Sequence, residues 1–357
     1  MYPSRAMTYD AHPQPGKHYP TTYGEFGAWF RSDADCLDYL EWMRWPAGFV
    51  CPDCEALDGW RLCDGRYKCS KCGARTSPTA GTIFDRTRTP LTVWFHACWK
   101  FATQKDGISA LALQRDLGLG SYQTAWAMLH RLRSVLVRPD RGLLSGTVEV
   151  DETLIGGSAP GDHGGRTPDE KALVAVAVER NDPKGYGRCR MAVIENASIA
   201  SLRAFLEANV APGSTVVTDG WKPYRRATAG LYTHQPHVAP GALAHRLLPG
   251  VHRVSALVKR WILGTHQGSV DDAHLPLYLD EFVFRWNRRS SRNLGLRFCR
   301  LLELASHHNP IRYRQLILTR RPSKAPRPPP RTHGKPASME RSGADRPWRG
   351  AGPLRSG

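Results

Sequence analysis

Apolar and polar positions change their rhythm three times along the chain. Between Tyr23 and Trp45, the run FRSDADCLDYLEWMRW spaces Cys36, Leu37, Leu40 and Trp42 as one face of a short helix, and Ser32 or Asp33 stands where its N-cap belongs. Residues 51–84 show no long period; Cys and Gly dominate, and hairpins are expected there. From Leu91 to Arg138 the rhythm becomes helical, with Trp94, Cys98 and Phe101 on one face. After Gly107 the pattern breaks at Gly118–Gly120 into two helices, Ser109–Leu117 and Ser121–Leu136, the punctuation of a helix-turn-helix. From Thr147 it changes again. TVEVDETLIGG, KALVAVAVER and GRCRMAVIE read as consecutive strands between Gly, Pro and Asp loops. SIASLRAFLEANV is an amphipathic helix stopped by Pro212–Gly213, and STVVTDG is a fourth strand. SALVKRWIL and HLPLYLDEFVFRWNRR read as helices. The expected class is α/β: a mixed sheet flanked by helices, behind a small Cys-rich module and a helical segment. No internal repeat is visible.

Charge narrows the partners. The 357 residues carry a formal net charge of +18. Arg320 to Gly357 holds ten Lys/Arg against two acids, so +10 remains on the rest of the chain. A basic surface of this kind attracts nucleic acid or an anionic membrane. The longest apolar run, Ala172–Val178, has seven residues, whereas a transmembrane helix needs about 20, so no membrane span is expected. Met1 to Pro20 contains no apolar core of a signal peptide. A cytoplasmic, nucleoid-associated protein is the expectation. Pro322–Gly357 is Pro/Arg/Gly/Ser-rich low complexity and is expected to be disordered.

Four of the nine cysteines form two C-x-x-C pairs, Cys51–Cys54 and Cys69–Cys72, with fourteen residues between them. Each pair makes a tight knuckle that aims two thiolates at one point, and two knuckles complete a tetrahedral Cys₄ zinc site. Such a site has no open position, so the zinc is expected to be structural, and in so short a segment it supplies much of the folding energy. Gly73 follows the second knuckle, where the backbone must turn. Cys36, Cys98, Cys189 and Cys299 read as ordinary thiols.

In the helix pair, Trp126, Leu129 and Leu132 form an apolar stripe, and Gln123, Thr124, His130, Arg131 and Arg133 lie off it. As a DNA-binding pair, the second helix would enter the major groove; as a plain helical hairpin, it would only connect two parts of the chain. Asp151 follows VEV and is expected at or near the end of a strand; Asp219 follows TVVT and is expected to end another. Two aspartates at neighbouring strand ends can hold Mg²⁺, a hard cation that takes oxygen ligands. Two such ions can clamp an in-line phosphoryl displacement. Strand alternation should turn Glu152 away from Asp151. Trp221, Lys222, Tyr224 and Arg225 make an aromatic–basic cluster directly after Asp219, suited to a base or to the phosphate backbone.

VEVDETLIGG, VVTDGWKPY, VHRVSALVKRWILGTHQG and HLPLYLDEFVFRWNRR, in this order, resemble the bacterial insertion-sequence transposases of the ISXO-like branch, the fifteen-ninety-five family. CPDC…CSKCGARTSPTAGTIFDRTRTPLTVWF resembles the zinc ribbon that precedes their catalytic domain. The resemblance runs from about Tyr23 to Ala305. It implies an RNase-H-like fold and DDE-type, Mg²⁺-dependent strand transfer on double-stranded DNA, with Asp151 and Asp219 as the two aspartates. It also implies a third ligand, usually Glu or Asn, roughly 35 residues after the second Asp, with a basic residue seven further on. Lys259 matches the basic residue, and His252 stands at the third position, 33 residues after Asp219. An imidazole there would favour Mn²⁺ more than an all-oxygen site does, or would orient water or phosphate. Glu281, 62 residues after Asp219, is the competing carboxylate; an ion pair with Arg285 at i+4 is its structural alternative. Lys259 and Arg260 would neutralise phosphate, His266 between glycines would reach DNA from a loop, and Arg285, Asn287, Arg288 and Arg289 would face phosphates.

The expected organisation is a disordered N-terminus (1–22), a zinc-ribbon region (23–85), a helical DNA-binding region (86–140), an RNase-H-like catalytic domain (141–310) and a disordered basic tail (320–357). The expected function is a transposase. It binds the terminal inverted repeats of an insertion sequence, cleaves one strand and joins the freed 3′-hydroxyl to target DNA, as a dimer or higher assembly. The alternatives are a zinc-ribbon DNA-binding protein whose catalytic fold has decayed, and a Mg²⁺ nuclease that hydrolyses without joining.

Overall fold

Ser32 opens the first long helix through reciprocal bonds. Its hydroxyl accepts from the Asp35 N–H (3.3 Å), and the Asp35 carboxylate accepts from the Ser32 N–H (2.8 Å). This capping box is worth about 1 kcal/mol and starts α2 (Asp33–Arg44) after the shorter α1 (Tyr23–Trp29). The computed structural model describes residues 13–138, 140–156, 171–181, 183–238, 247–268 and 270–318. The first twelve residues and the basic tail of the sequence reading lie outside them. Residues 13–22, expected to be disordered, are held in place here: Tyr19 is buried, and the Tyr39 hydroxyl donates to the His18 carbonyl (2.7 Å).

Three short strands, β1 (Gly59–Arg61), β2 (Tyr67–Cys69) and β3 (Arg75–Thr76), pair antiparallel in that order. Their small core is Trp45, Phe49, Cys51 and Cys69, too little apolar area to fold unaided. Three helices follow: α3 (Leu91–Thr103), α4 (Ala110–Asp116) and α5 (Tyr122–Ser134). Ser109 caps α4 and Ser121 caps α5, each accepting a backbone N–H three residues on. Gly118 takes φ +59° between them, which a residue with a Cβ rarely tolerates.

The second sheet has five strands: β4 (Thr147–Ile155), β5 (Ala172–Arg180), β6 (Tyr186–Ile194), β7 (Thr215–Thr218) and β8 (Thr233–Pro236). Their order is β6-β5-β4-β7-β8. β4, β5 and β6 are antiparallel meander neighbours, and β7 lies parallel to both β4 and β8. This is the RNase-H-like mixed sheet flanked by helices. A parallel return needs a crossover, and α6 (Ile199–Asn209) provides it between β6 and β7. β5 reads as an unbroken apolar run because both of its faces are covered. Val174, Val176 and Val178 pack toward α8 (Pro249–His266) and α9 (Leu275–Trp286), while Ala175 and Ala177 pack toward α6 and α7 (Lys222–Ala227). The short polar elements α7 and β8 carry no apolar period, and the sequence reading passed over them.

α10 (Leu294–His307) and α11 (Tyr313–Leu318) complete the described chain. α10 returns to the N-terminal helices: Phe298 meets Phe26, Phe30, Phe95 and Trp99 with ring centroids 5.4–5.9 Å apart. A Cβ on Gly295 would lie 1.6 Å from the Pro20 carbonyl oxygen, so only glycine permits this approach. The helices of the 86–140 segment thus share one core with α1, α2 and α10. Among the described residues no helix is long and apolar enough to cross a membrane.

Candidate active site and metal centre

The two knuckles of the small sheet are built alike. In the first, the Cys51 N–H donates to the Ala56 carbonyl and the Glu55 N–H to the Cys51 carbonyl; in the second, Cys69 with Ala74 and Gly73 with Cys69 repeat both bonds, at 2.9–3.1 Å. The turn residue is left-handed in each: Glu55 at φ +58° and Gly73 at +71°. The sequence marked the second with glycine and left the first unmarked. The four sulfurs lie within 4.8 Å of one another, with Cys51–Cys72 and Cys54–Cys69 at 3.6 Å. A tetrahedron with Zn–S near 2.3 Å has edges of about 3.8 Å, so the donor set fits zinc. Four protein ligands leave no coordination position for a substrate, which makes this a structural site.

The second constellation is set by strand register. Glu149 pairs with Val217 across the parallel β4–β7 ladder. Asp151, the fifth of the nine residues of β4, and Asp219, the first residue past β7, therefore stand two residues beyond that pair and level with each other, on strands about 4.8 Å apart; the strand expected to end at or near Asp151 runs on to Ile155. Glu149, Asp151 and Ile155 alternate onto the face covered by α8, as does Val217. Asp151 is half-buried and Asp219 exposed. Burial raises the Asp151 carboxyl pKa, Asp219 adds repulsion, and the charge of His252 opposes both. The Asp151 Oδ1 accepts from the Glu152 N–H and the Asp219 Oδ1 from the Trp221 N–H, each at 2.9 Å. Among the described residues the second oxygen of each carboxylate has no hydrogen-bond partner.

His252 reaches this place because Glu149 anchors its helix. α8 begins at Pro249 without a side-chain cap from Leu248. The fully buried Glu149 carboxylate accepts the Gly250 and Val251 N–H groups instead (2.7 and 3.1 Å). A carboxylate on a helix N-terminus satisfies free donors and complements the helix dipole. Gly250 is needed here, because a Cβ would lie 2.6 Å from the Tyr186 ring and 2.8 Å from Glu149. His252, one turn in, and Lys259, two turns further, share a solvent-facing side of α8, about 10 Å apart along the axis.

Glu152 faces the other side of the sheet, as alternation requires, yet it belongs to the same electrostatic group. Tyr224 of α7 is buried, and its hydroxyl donates to the Glu152 carboxylate (2.6 Å). Burial pushes Glu152 up to about 7; the Tyr224 bond opposes this, and Asp151 and Asp219 add to it. Sequence reasoning set Glu152 aside and missed Glu149. Two acids two residues apart on one face of β4, Glu149 and Asp151, in a strand whose context buries that face, are the signal that would have found the second.

Several sequence-marked residues lie elsewhere. Glu281 is fully buried on α9 and binds Arg133 (2.7 Å) and Arg285 (2.7 and 3.0 Å), the i+4 partner. Burial alone would raise its pKa, but the two guanidiniums outweigh it and leave it lowered. Both oxygens are taken, away from Asp151 and Asp219. Arg133 and His130 are buried in the fold and do not face solvent from α5, contrary to the helix-turn-helix reading; Gln123 is exposed, and Thr124 and Arg131 are half-buried. His266 ends α8 and packs against Trp261 and Tyr278 (4.9 and 4.8 Å between ring centroids), so it is no loop residue. The Asn287 side chain holds both backbone groups of Cys189, and Arg288 and Arg289 lie over Phe284 and Trp286. These residues tie α9 to its own face and to β6. After Asp219, Tyr224 is core, whereas Trp221, Lys222 and Arg225 are exposed.

Residues 143–287 match the ISXO2-like transposase domain, and residues 31–75 match a transposase zinc-ribbon domain. The chain is 26% identical over 280 residues to an uncharacterized protein in transposable element ISH50 of Halobacterium salinarum, covering 72% of this chain and 91% of that relative. The first match spans the five-stranded sheet with α6–α9, and the second spans the Cys₄ knuckles. Both modules are matched in one order and a relative is carried by a transposable element, so over its ribbon and its five-stranded domain the chain is similar to the ISXO2-like insertion-sequence transposases.

Proposed function

We propose that this transposase binds the terminal inverted repeats of its element, cleaves one strand at each end with Mg²⁺, and joins the freed 3′-hydroxyl to target DNA. The observation that carries the reading is the pair Asp151, within β4, and Asp219, just past the end of its parallel neighbour β7, held level by the Glu149–Val217 register, with His252 close enough for its charge to act on Asp151. The donor set fits a divalent cation: the Asp219 charge raises the proton affinity of Asp151, and each carboxylate keeps an oxygen without a partner among the described residues. Asp151 and Asp219 would hold the metal, and His252 would be a third ligand or orient a phosphate. Divalent metal in such a centre activates the attacking oxygen and stabilises the leaving one. Glu149 holds the start of α8 in place and so keeps His252 at the carboxylates. Lys259 stands two turns along to take phosphate charge.

The ribbon and the helices between it and the sheet would grip the element ends. Joining two ends requires at least two copies of the site, so a dimer or larger assembly on DNA is expected. Asp219→Asn tests the reading. With labelled element ends and a target plasmid, joined product should disappear under Mg²⁺ while end binding persists; intact joining overturns the assignment. His252, where the family usually carries Glu or Asn, favours one other reading, a DNA-binding remnant without chemistry. End binding without cleavage in either Mg²⁺ or Mn²⁺ would establish that remnant.

A further inference from the structure

A second region, outside the acidic centre, has the chemistry of a nucleotide. The segment after the ribbon, α5 and the stretch before α11 enclose a groove of about 650 Å³. Arg86, Arg88, Arg131 and Arg312 line it against a single acid, Asp85. Arg86, Arg88 and Arg312 are exposed, and among the described residues none of the three has an ion-pair partner. Next to it, sharing Gln123 and Tyr313 with it, is a pocket of about 310 Å³ lined by Trp126, His130, His274 and Tyr278. Its floor is His130, which is fully buried with neither ring nitrogen hydrogen-bonded within the chain. Trp126 lies 4.0 Å from the His130 ring, and His274 lies 4.9 Å from it. Unmet hydrogen-bonding capacity this deep is uncommon in folded proteins.

We propose that groove and pocket form one site: the arginines hold the phosphate backbone of bound DNA, and the aromatic pocket takes a single unstacked base. The proposal rests on the DNA-binding reading above and deepens it. Arginines suit phosphate, and aromatic side chains stack an extruded base and offset the cost of unstacking it. A base edge would also supply a hydrogen-bond partner for His130 or Gln123. The strand that carries Asp151 leads from the acidic centre toward the pocket. Asp272, between pocket residues Asp271 and His274, comes within 3.5 Å of where a Cβ would stand on Gly156. Gly156 is five residues beyond Asp151 on the same chain segment, about 17 Å at full extension. An extruded base would therefore fix the register of the DNA end relative to the carboxylates.

The test places 2-aminopurine, whose fluorescence rises on unstacking, at successive positions of a duplex from the ends of the element that encodes this chain. The full chain is added, and anisotropy measures binding in parallel. One position should brighten several-fold on binding. Ile317→Trp, an exposed rim residue enlarged to fill the pocket, should remove the brightening while the duplex still binds. Tyr313→Ala should weaken end binding by roughly tenfold. Bound DNA in which no position brightens, or brightening indifferent to both variants, overturns the pocket and leaves the transposase reading standing. A chain that binds no element-end DNA overturns both.

Discussion

Removing the Glu281 carboxylate should cost the fold dearly and the chemistry only indirectly. Glu281 stands between Arg133 of α5 and Arg285 of α9, with both carboxylate oxygens engaged. Without it, Arg285 keeps the carbonyls of Phe101 and Gln104 (2.7 and 2.6 Å). Arg133 keeps only the face of Tyr278, at 4.0 Å. A guanidinium that is 2% exposed is then left without a counter-charge. Breaking a buried pair in this way costs about 3–5 kcal/mol, a large part of a domain's usual ~5–15 kcal/mol. Glu281→Ala should therefore lower the urea midpoint, read by tryptophan fluorescence, by the shift that corresponds to a loss of that size in unfolding free energy. Glu281→Gln keeps shape and one acceptor and should lose less. Arg133→Met combined with Glu281→Leu should lose less than the sum of the single changes, because residues sharing a network couple by about 0.5–3 kcal/mol. A loss below about 1 kcal/mol for Glu281→Ala refutes the structural role. So does strand transfer abolished at an unchanged midpoint, which would return Glu281 to the chemistry.

Gly250→Ala should cost about 1–3 kcal/mol by overpacking against Tyr186 and Glu149. It should also lower metal-dependent joining through a displaced His252; unchanged joining at reduced stability would show that α8 tolerates the shift. A strong chelator should release one zinc per chain, counted with a colorimetric zinc dye, and unfold the ribbon while strand signals of the five-stranded sheet persist; Cys54→Ser should lower zinc content. Acid should destabilise the fold. Burial, then Arg133, lowers His130 to about 2 and His266 to about 4, with His274 also bearing on His130 and Glu281 and Arg285 on His266. Both values lie below the ~6.5 of an unfolded histidine, so the native state binds fewer protons and the stability present above pH 6.5 is lost as pH falls. Between pH 7 and 5 each group costs about 2 kcal/mol. Thermal melts should show this decline, and His130→Phe should remove its share of about 2 kcal/mol; an unaltered pH slope in that variant contradicts the assignment.

Local chemistry made the ribbon and most elements legible from sequence. C-x-x-C spacing sets a knuckle within six residues, Ser caps announce helices, and an apolar run such as ALVAVAV announces a strand covered on both faces. Asp219 was legible as a strand end, because TVVT gives way there to a glycine turn; the sequence places Asp151 at or near one too, but β4 runs on to Ile155. What sequence could not supply was the partner of each side chain. His130 and Arg133 of α5 look like a basic face, and only α9 lying across them, with Glu281 in position, makes that face interior. Arg285–Arg289 look like phosphate ligands for the same reason, until Glu281, Cys189 and the aromatic rings of their own helix are in place. Glu149 caps a helix that begins a hundred residues later, and α10 meets α1 and α3 across most of the chain. The sequence by itself determined what depends on neighbours within a few residues: caps, knuckles, periods and charge. The tertiary structure alone decided which charges are buried and paired and which face solvent, because that depends on elements far apart in the chain that meet only when the sheet and its helices close.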